Sequence, residues 1–185
     1  MKKYLVIKGF ESKLNNTILD FIKGMVGFVK IKYDEDLIIV NYDNYELQNM
    51  KDALESLLYD LNAQFKFLIV EDKNEEEFND VLNKIKPHFN FELKDNVYDL
   101  KEFIFENVEY SKEFKELILK NFIYDYDFQN AIKKFIENNM NVLKTSKILY
   151  MHRNTLINKL DRFNQITGYD PKEFKDAYVL YTILK

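Results

Sequence analysis

The chain has 185 residues, 46% of them hydrophobic and 31% charged, the balance of a folded protein with room for one sizeable domain or two small ones. It has no cysteine and two histidines, His88 and His152, which excludes disulfides, thiolate metal sites and histidine clusters; neither metal nor cofactor is expected. The net charge of −4 argues, taken alone, against a nucleic-acid partner, because phosphate contacts need local positive potential.

Residues 3–7 read as a strand, and 11–23 place Leu14, Ile18, Leu19 and Ile22 at helical spacing. Phe28 to Lys32 and Leu37 to Tyr42 are β-rich runs on either side of Asp34-Glu35-Asp36, the pattern of a hairpin. A helix is predicted over 45–61 from the stripe Leu47, Met50, Leu54, Leu57, Leu58 and Leu61, then a strand from Phe65 to Val70 and a helix over 74–86 ended by Pro87. The order β-α-β-β-α-β-α predicts a small antiparallel or mixed sheet with helices on one face, the ferredoxin-like arrangement. A further strand is read near 89–93. Beyond it 97–108, 111–123, 127–138, 141–149, 153–166 and 171–184 all place apolar residues at three- and four-residue intervals, so an all-helical part follows. The fold class is therefore α+β, with a ferredoxin-like domain over 1–95, a helical connector over 96–126 and a helical domain over 127–185. The short apolar run after Met1 and the lack of any run of about 18 apolar residues predict neither leader nor membrane span, hence a soluble, cytoplasmic protein.

The average charge hides a split. From Asp127 onward there are ten Lys/Arg against six acids, a balance of +4 that leaves −8 for the first 126 residues. Within 140–168, Lys144, Lys147, Arg153, Lys159 and Arg162 face only Asp161. Such asymmetry points to a nucleic-acid-binding part joined to a part with another task.

That same window carries the most informative motif. Asn141 is suited to cap a short helix over 141–149. Val142, Ser146 and Leu149 share one face of it, with small Ser146 where a second helix approaches across a three-residue turn. In the helix from Arg153, the residues Leu156, Leu160 and Phe163 fall at i, i+4 and i+7 and point inward together, which leaves Asn154 and Asn158 on the opposite face. Two short helices, a tight turn, and a second helix with exposed amides and a basic surround form the layout of a helix-turn-helix that reads the major groove of double-stranded DNA.

The run His152-Arg153-Asn154-Thr155-Leu156, with Leu160, Arg162 and Thr167-Gly168-Tyr169-Asp170 after it and Asn138-Asn139-Met140-Asn141-Val142 and Thr145 before it, resembles the C-terminal helix-turn-helix of the PucR/CdaR family of bacterial transcription regulators. A looser similarity links Arg-Asn-Thr-Leu to helix-turn-helices of the Fis type. The close resemblance covers about 127–185 and implies a DNA-binding transcription regulator, not an enzyme. Ile157-Asn158-Lys159 stands where members commonly carry a more basic or aromatic trio, and Met140 replaces a frequent glycine.

Base-reading roles fall to Arg153, whose planar fork suits guanine O6 and N7, and to Asn154 and Asn158, which suit adenine N6 and N7. Phosphate contacts fall to His152 at the helix cap and to Thr155, Lys144, Lys147, Lys159 and Arg162. One recognition helix covers a half-site, so a homodimer is expected, with Phe174, Tyr178 and Tyr181 of the last helix among the apolar faces available to it.

In larger PucR/CdaR regulators a degenerate cyclase-like domain of β-α-β-β-α-β order often precedes the helix-turn-helix. The hairpin Lys32-Tyr33-Asp34-Glu35-Asp36-Leu37 falls where an active cyclase of that kind shows Gly-Gly-Asp-Glu-Phe, and both glycines are missing. Tyr33 would obstruct the close backbone approach that nucleotide phosphates need, so the carboxylates read as a solvated turn. The alternatives are a nucleotide-binding or cyclase-like enzyme and a protein-interaction module that reuses the helix-turn-helix. The usual extra sensor segment of larger members has no counterpart, and no residue identifies a small-molecule effector.

Overall fold

The run Tyr4-Leu5-Val6-Ile7 is apolar without alternation, and a strand of that kind belongs in the middle of a sheet with both faces covered. The computed structural model, which describes residues 2–9, 12–27, 29–43, 46–72, 74–110 and 112–185, places it there. Strand β1 (Lys2–Gly9) pairs antiparallel with β3 (Leu37–Tyr42) on one side and with β4 (Phe65–Asp72) on the other. Strand β2 (Val29–Asp34) pairs with β3 at the edge, giving the order β2-β3-β1-β4-β5. Helices α1 (Ser12–Val26) and α2 (Leu47–Leu61) each carry the chain to a strand that is not the immediate neighbour of the last, so the unit is two split β-α-β halves, as the ferredoxin-like reading expects. Glu11, Phe28, Tyr45 and Ser111, at the ends of expected elements, lie outside the described residues.

Strand β1 alternates between two cores. Leu5 and Ile7 face Ile18, Leu19 and Ile22 of α1 and Met50, Leu54, Leu57 and Leu58 of α2, together with Val40, Phe67 and Ile69 from the neighbouring strands. Each fully buried side chain of this size contributes roughly 1.5–3 kcal/mol. Tyr4 faces the other way and stacks on Phe78 of α3 (Glu75–Ile85), with ring centroids 3.8 Å apart. Helices thus cover both faces, where the sequence reading put them on one. The reason lies in β1 and β4, whose apolar residues at successive positions need cover above and below.

The strand expected near 89–93 is absent; that segment is turns and bends. The fifth strand is β5 (Val97–Asp99), parallel to β4, inside a segment read as helix. Buried Lys66 explains the shift, because its ammonium donates to the carbonyls of Leu93 and Asp95 and to Asn96 Oδ1, turning those groups away from a ladder. Burial pulls the Lys66 ammonium below its usual range, partly offset by Asp95 and Glu106. At the far end Asp99 Oδ1 accepts from the Glu102 amide and Glu102 Oε2 accepts from the Asp99 amide, a reciprocal cap that starts α4 (Leu100–Glu106) at once and keeps β5 to a single short pairing.

The chain divides into two compact units, Met1–Glu106 and Asn107–Lys185. In the second, the helix expected over 111–123 is α5 (Lys115–Leu119) followed by a 3-10 turn over Lys120–Phe122, since Lys120 has φ 48° and cannot continue an α-helix. Then follow α6 (Tyr126–Glu137), α7 (Val142–Ile148), α8 (Arg153–Thr167) and α9 (Phe174–Leu184). Among the described residues no helix is long and apolar enough to cross a membrane.

Candidate nucleic-acid interface

Helix α7 starts where the sequence says it should: Asn141 Oδ1 accepts from the Lys144 amide at 2.9 Å. Its buried positions are Thr145 and Ser146, both small and polar, while Leu143 and Ile148 are 60% and 45% exposed. Small side chains let α8 come close, as expected of Ser146, whose hydroxyl donates to the Leu143 carbonyl. Val142 and Leu149, assigned to the same inward face, are half-buried.

Helix α8 begins at an N-cap formed by His152, whose Nδ1 accepts from the Asn154 amide at 3.2 Å. This leaves the Nε2 edge of the ring to point outward. Leu156, Leu160 and Phe163 are fully buried. Phe163 packs on Phe122 and Phe128, with centroids 5.3 and 6.3 Å away, so the helix is held by an aromatic cluster. The end of α8 is equally defined. Gly168 adopts φ 80° and its amide donates to the Asn164 carbonyl, while the Thr167 hydroxyl donates to the Phe163 carbonyl and accepts from the Tyr169 amide. Asp176 Oδ2 accepts from the Asp170 amide and fixes the approach to α9.

With the apolar ridge anchored, His152, Arg153, Asn154, Thr155, Asn158 and Arg162 are exposed on α8 and its cap, and Lys144 and Lys147 are exposed on α7. Asn154 and Asn158 lie one turn apart, separated by about 6 Å along the axis. Asp161, the acid in this basic window, is tied to Lys172. Lys159 is the exception among the expected phosphate contacts: it is half-buried, and its ammonium lies 4.5 Å from the centroid of the Phe128 ring on α6.

Sequence reasoning passed over Tyr150. It occupies the turn between α7 and α8 with φ 50°, and its side chain is 98% exposed. The signal for it was available, since a turn between two closely packed helices needs a residue at positive φ and Tyr150 is the bulky side chain left there.

Residues 130–185 match the family described as the PucR C-terminal helix-turn-helix domain. The match falls on the segment whose motif at 152–170 resembles that helix-turn-helix. An uncharacterized protein, YxkF, of Bacillus subtilis is 46% identical over 30% of the chain and 18% of its own length. The carbohydrate diacid regulator of Escherichia coli is 37% identical over 31% of the chain and 15% of its own length. Both matches thus span less than a fifth of the relative. The crystal structure of a regulator of polyketide synthase expression from Bifidobacterium adolescentis superposes with a TM-score of 0.52 at 16% identity, covering 99% of this chain and 78% of that one, which is a likeness of fold.

Of the hairpin carboxylates of the first unit, Asp34 is half-buried and Glu35 and Asp36 are exposed, and all three are engaged. Lys86 pairs with Asp34 and Glu35 at 3.3 and 3.0 Å, and Lys8 pairs with Asp36 at 2.7 Å. The hydrogen bond from Lys8 holds the Asp36 carboxyl below its ordinary range against a smaller opposing effect of burial. Among the described residues no group of three or more His, Asp or Glu is placed to hold a metal ion.

Proposed function

We propose that the chain is a sequence-specific DNA-binding transcription regulator that works in the cytoplasm, with α8 lying in the major groove. The observation that carries this reading is the exposed Asn154/Asn158 edge of a PucR-type helix whose opposite ridge, Leu156, Leu160 and Phe163, is fully buried. Arg153 takes a guanine by its two acceptors, and Asn154 and Asn158 take adenines. His152 presents Nε2 to a phosphate, and Thr155, Arg162, Lys144 and Lys147 fix the register on the backbone. One relative, matched over 31% of this chain, is named as a regulator, which supports the same role.

A half-site reader gains affinity and a palindromic target by pairing, so we propose a homodimer on double-stranded DNA. Phe174, 73% exposed, and Tyr178 lie one turn apart on α9 and supply apolar surface for it. The test is selection of bound sequences from a random duplex pool by the full chain, followed by a salt titration on the winning sequence. The reading requires an enriched motif with two half-sites about 34 Å apart and affinity that falls steeply with salt. A pool that emerges unenriched overturns it.

A further inference from the structure

The face of the sheet turned away from α1 and α2 holds a cavity of about 220 Å³ at the β2 edge. The strand register builds it. Lys30 pairs with Asn41, and Asn41 pairs with Tyr4, so these three side chains stand in one row on the same face; Lys32 and Ile39 stand in the next. Lys2 adds a third ammonium from β1, and Glu75 and Phe78 close the far side from α3.

Three features distinguish this place from an ordinary lysine-protected edge strand. Lys2, Lys30 and Lys32 converge on one small volume and form no ion pair among the described residues, whereas Lys3, Lys8 and Lys86 nearby are paired. Tyr4 is 3% exposed and its hydroxyl has no hydrogen-bond partner, although the ring is held flat by its stack on Phe78. A buried hydroxyl without a partner is uncommon in folded proteins and calls for a group to supply one. Among the described lining residues Glu75 of α3 is the one carboxylate, so the cavity joins three ammonium groups from the strands to a hydrogen-bond acceptor from the helix. Its volume holds about seven water-sized groups.

We propose that this cavity binds a small organic anion whose carboxylate or phosphate is held by Lys2, Lys30 and Lys32 and whose other end donates a hydrogen bond to Glu75. The site lies wholly within the first unit, so it stands or falls independently of DNA binding by the second.

The test uses the isotope-labelled full chain, with backbone amide shifts followed at constant ionic strength on addition of acetate, glycolate, glycine or inorganic phosphate. Saturable shifts at Lys30, Lys32, Asn41 and Glu75 are expected, with glycolate or glycine binding more tightly than acetate because each adds a donor for Glu75. Comparing glycolate with glycine separates a hydroxyl from an ammonium, and the phosphate arm separates the two anion types. Replacing Lys30 and Lys32 together by Gln, at exposed positions where folding is not at risk, weakens binding about tenfold. Tyr4→Phe weakens it several-fold without lowering the melting temperature. Absence of saturable shifts with every probe up to about 50 mM, or unchanged affinity in the double lysine variant, overturns the proposal.

Discussion

The ammonium of Lys159 lies 4.5 Å from the centroid of the Phe128 ring, and that ring packs in turn on Phe122 and Phe163. A side chain expected to reach a phosphate thus tethers α8 to α6. A cation over an aromatic face contributes about 0.5–1 kcal/mol, and the buried stem adds packing. Lys159→Ala should therefore lower stability by about 1 kcal/mol in a urea titration. Its effect on the salt dependence of DNA binding should be smaller than that of Lys147→Ala. If stability is untouched and the salt slope drops by about one, Lys159 is a phosphate ligand after all.

Arg153 and Lys144 test the proposed separation of base reading from phosphate holding. Both are exposed, but Arg153 opens α8 while Lys144 belongs to α7. Arg153→Ala should cost roughly 1–3 kcal/mol on the selected sequence and relax the preference at one base pair, with little loss on random duplex. Lys144→Ala should weaken both duplexes alike and reduce the salt slope by about one. Equal loss on both duplexes for Arg153→Ala removes it from the base-reading set. Tyr150, fully exposed in the turn between the two helices, belongs in the same titration, because it lies three residues before the start of the helix proposed to enter the groove.

Much of this site was legible because the signals were redundant. Leu156, Leu160 and Phe163 fall on one helical face and fix the rotation that exposes Asn154 and Asn158, while the caps Asn141 and His152 and the terminal Gly168 fix where the two helices begin and the second ends. The positions that escaped lack such redundancy. Thr145 is buried although polar, so its small size rather than hydrophobicity suits it to the packed face of α7. Strand β5 is three residues long, has no alternation to detect, and is positioned by the buried Lys66 ammonium far off in sequence. The second covered face of the sheet was readable in principle from the unbroken apolar runs of β1 and β4.

Met140 and Gly168 test the backbone of the helix-turn-helix from opposite directions. Met140 has φ 56° in the loop between α6 and α7, where a side chain is strained by about 1–2 kcal/mol. Glycine relieves that strain but gives back about 0.4–1 kcal/mol through the unfolded chain, so Met140→Gly should stabilise by about 0.5 kcal/mol. Gly168 has φ 80° with nothing within 4 Å of where a Cβ would stand, so Gly168→Ala suffers from backbone strain alone. It should destabilise by about 1 kcal/mol in the same urea titration. A Met140→Gly variant less stable than the parent shows that contacts of the methionine side chain outweigh its backbone strain.

Tyr98 makes the stability of the first unit depend on alkaline pH. Its hydroxyl donates to Glu106 Oε2 at 2.7 Å and accepts from the Asp95 amide, joining β5 to the end of α4 and to the loop before it. Burial, and then the hydrogen bond to the Glu106 carboxylate, raise the Tyr98 phenol well above its ordinary range, and burial does the same for Tyr42. An acid whose proton is held more tightly in the folded state contributes stability that is complete below the unfolded value near 10 and is lost as pH rises toward the folded value. Unfolding of the parent by urea should accordingly become easier between pH 8.5 and pH 11. Tyr98→Phe loses a hydrogen bond to a charged group, so it should be less stable by about 1.5–3 kcal/mol at the lower pH. The same variant should lose less on going to the higher pH, because one of the tyrosine protons held by the fold, those of Tyr4, Tyr42 and Tyr98, has been removed. A parent and variant with the same alkaline loss would place the effect on Tyr42 in the α1/α2 core or on Tyr4 beneath α3, and Tyr42→Phe and Tyr4→Phe then tell them apart.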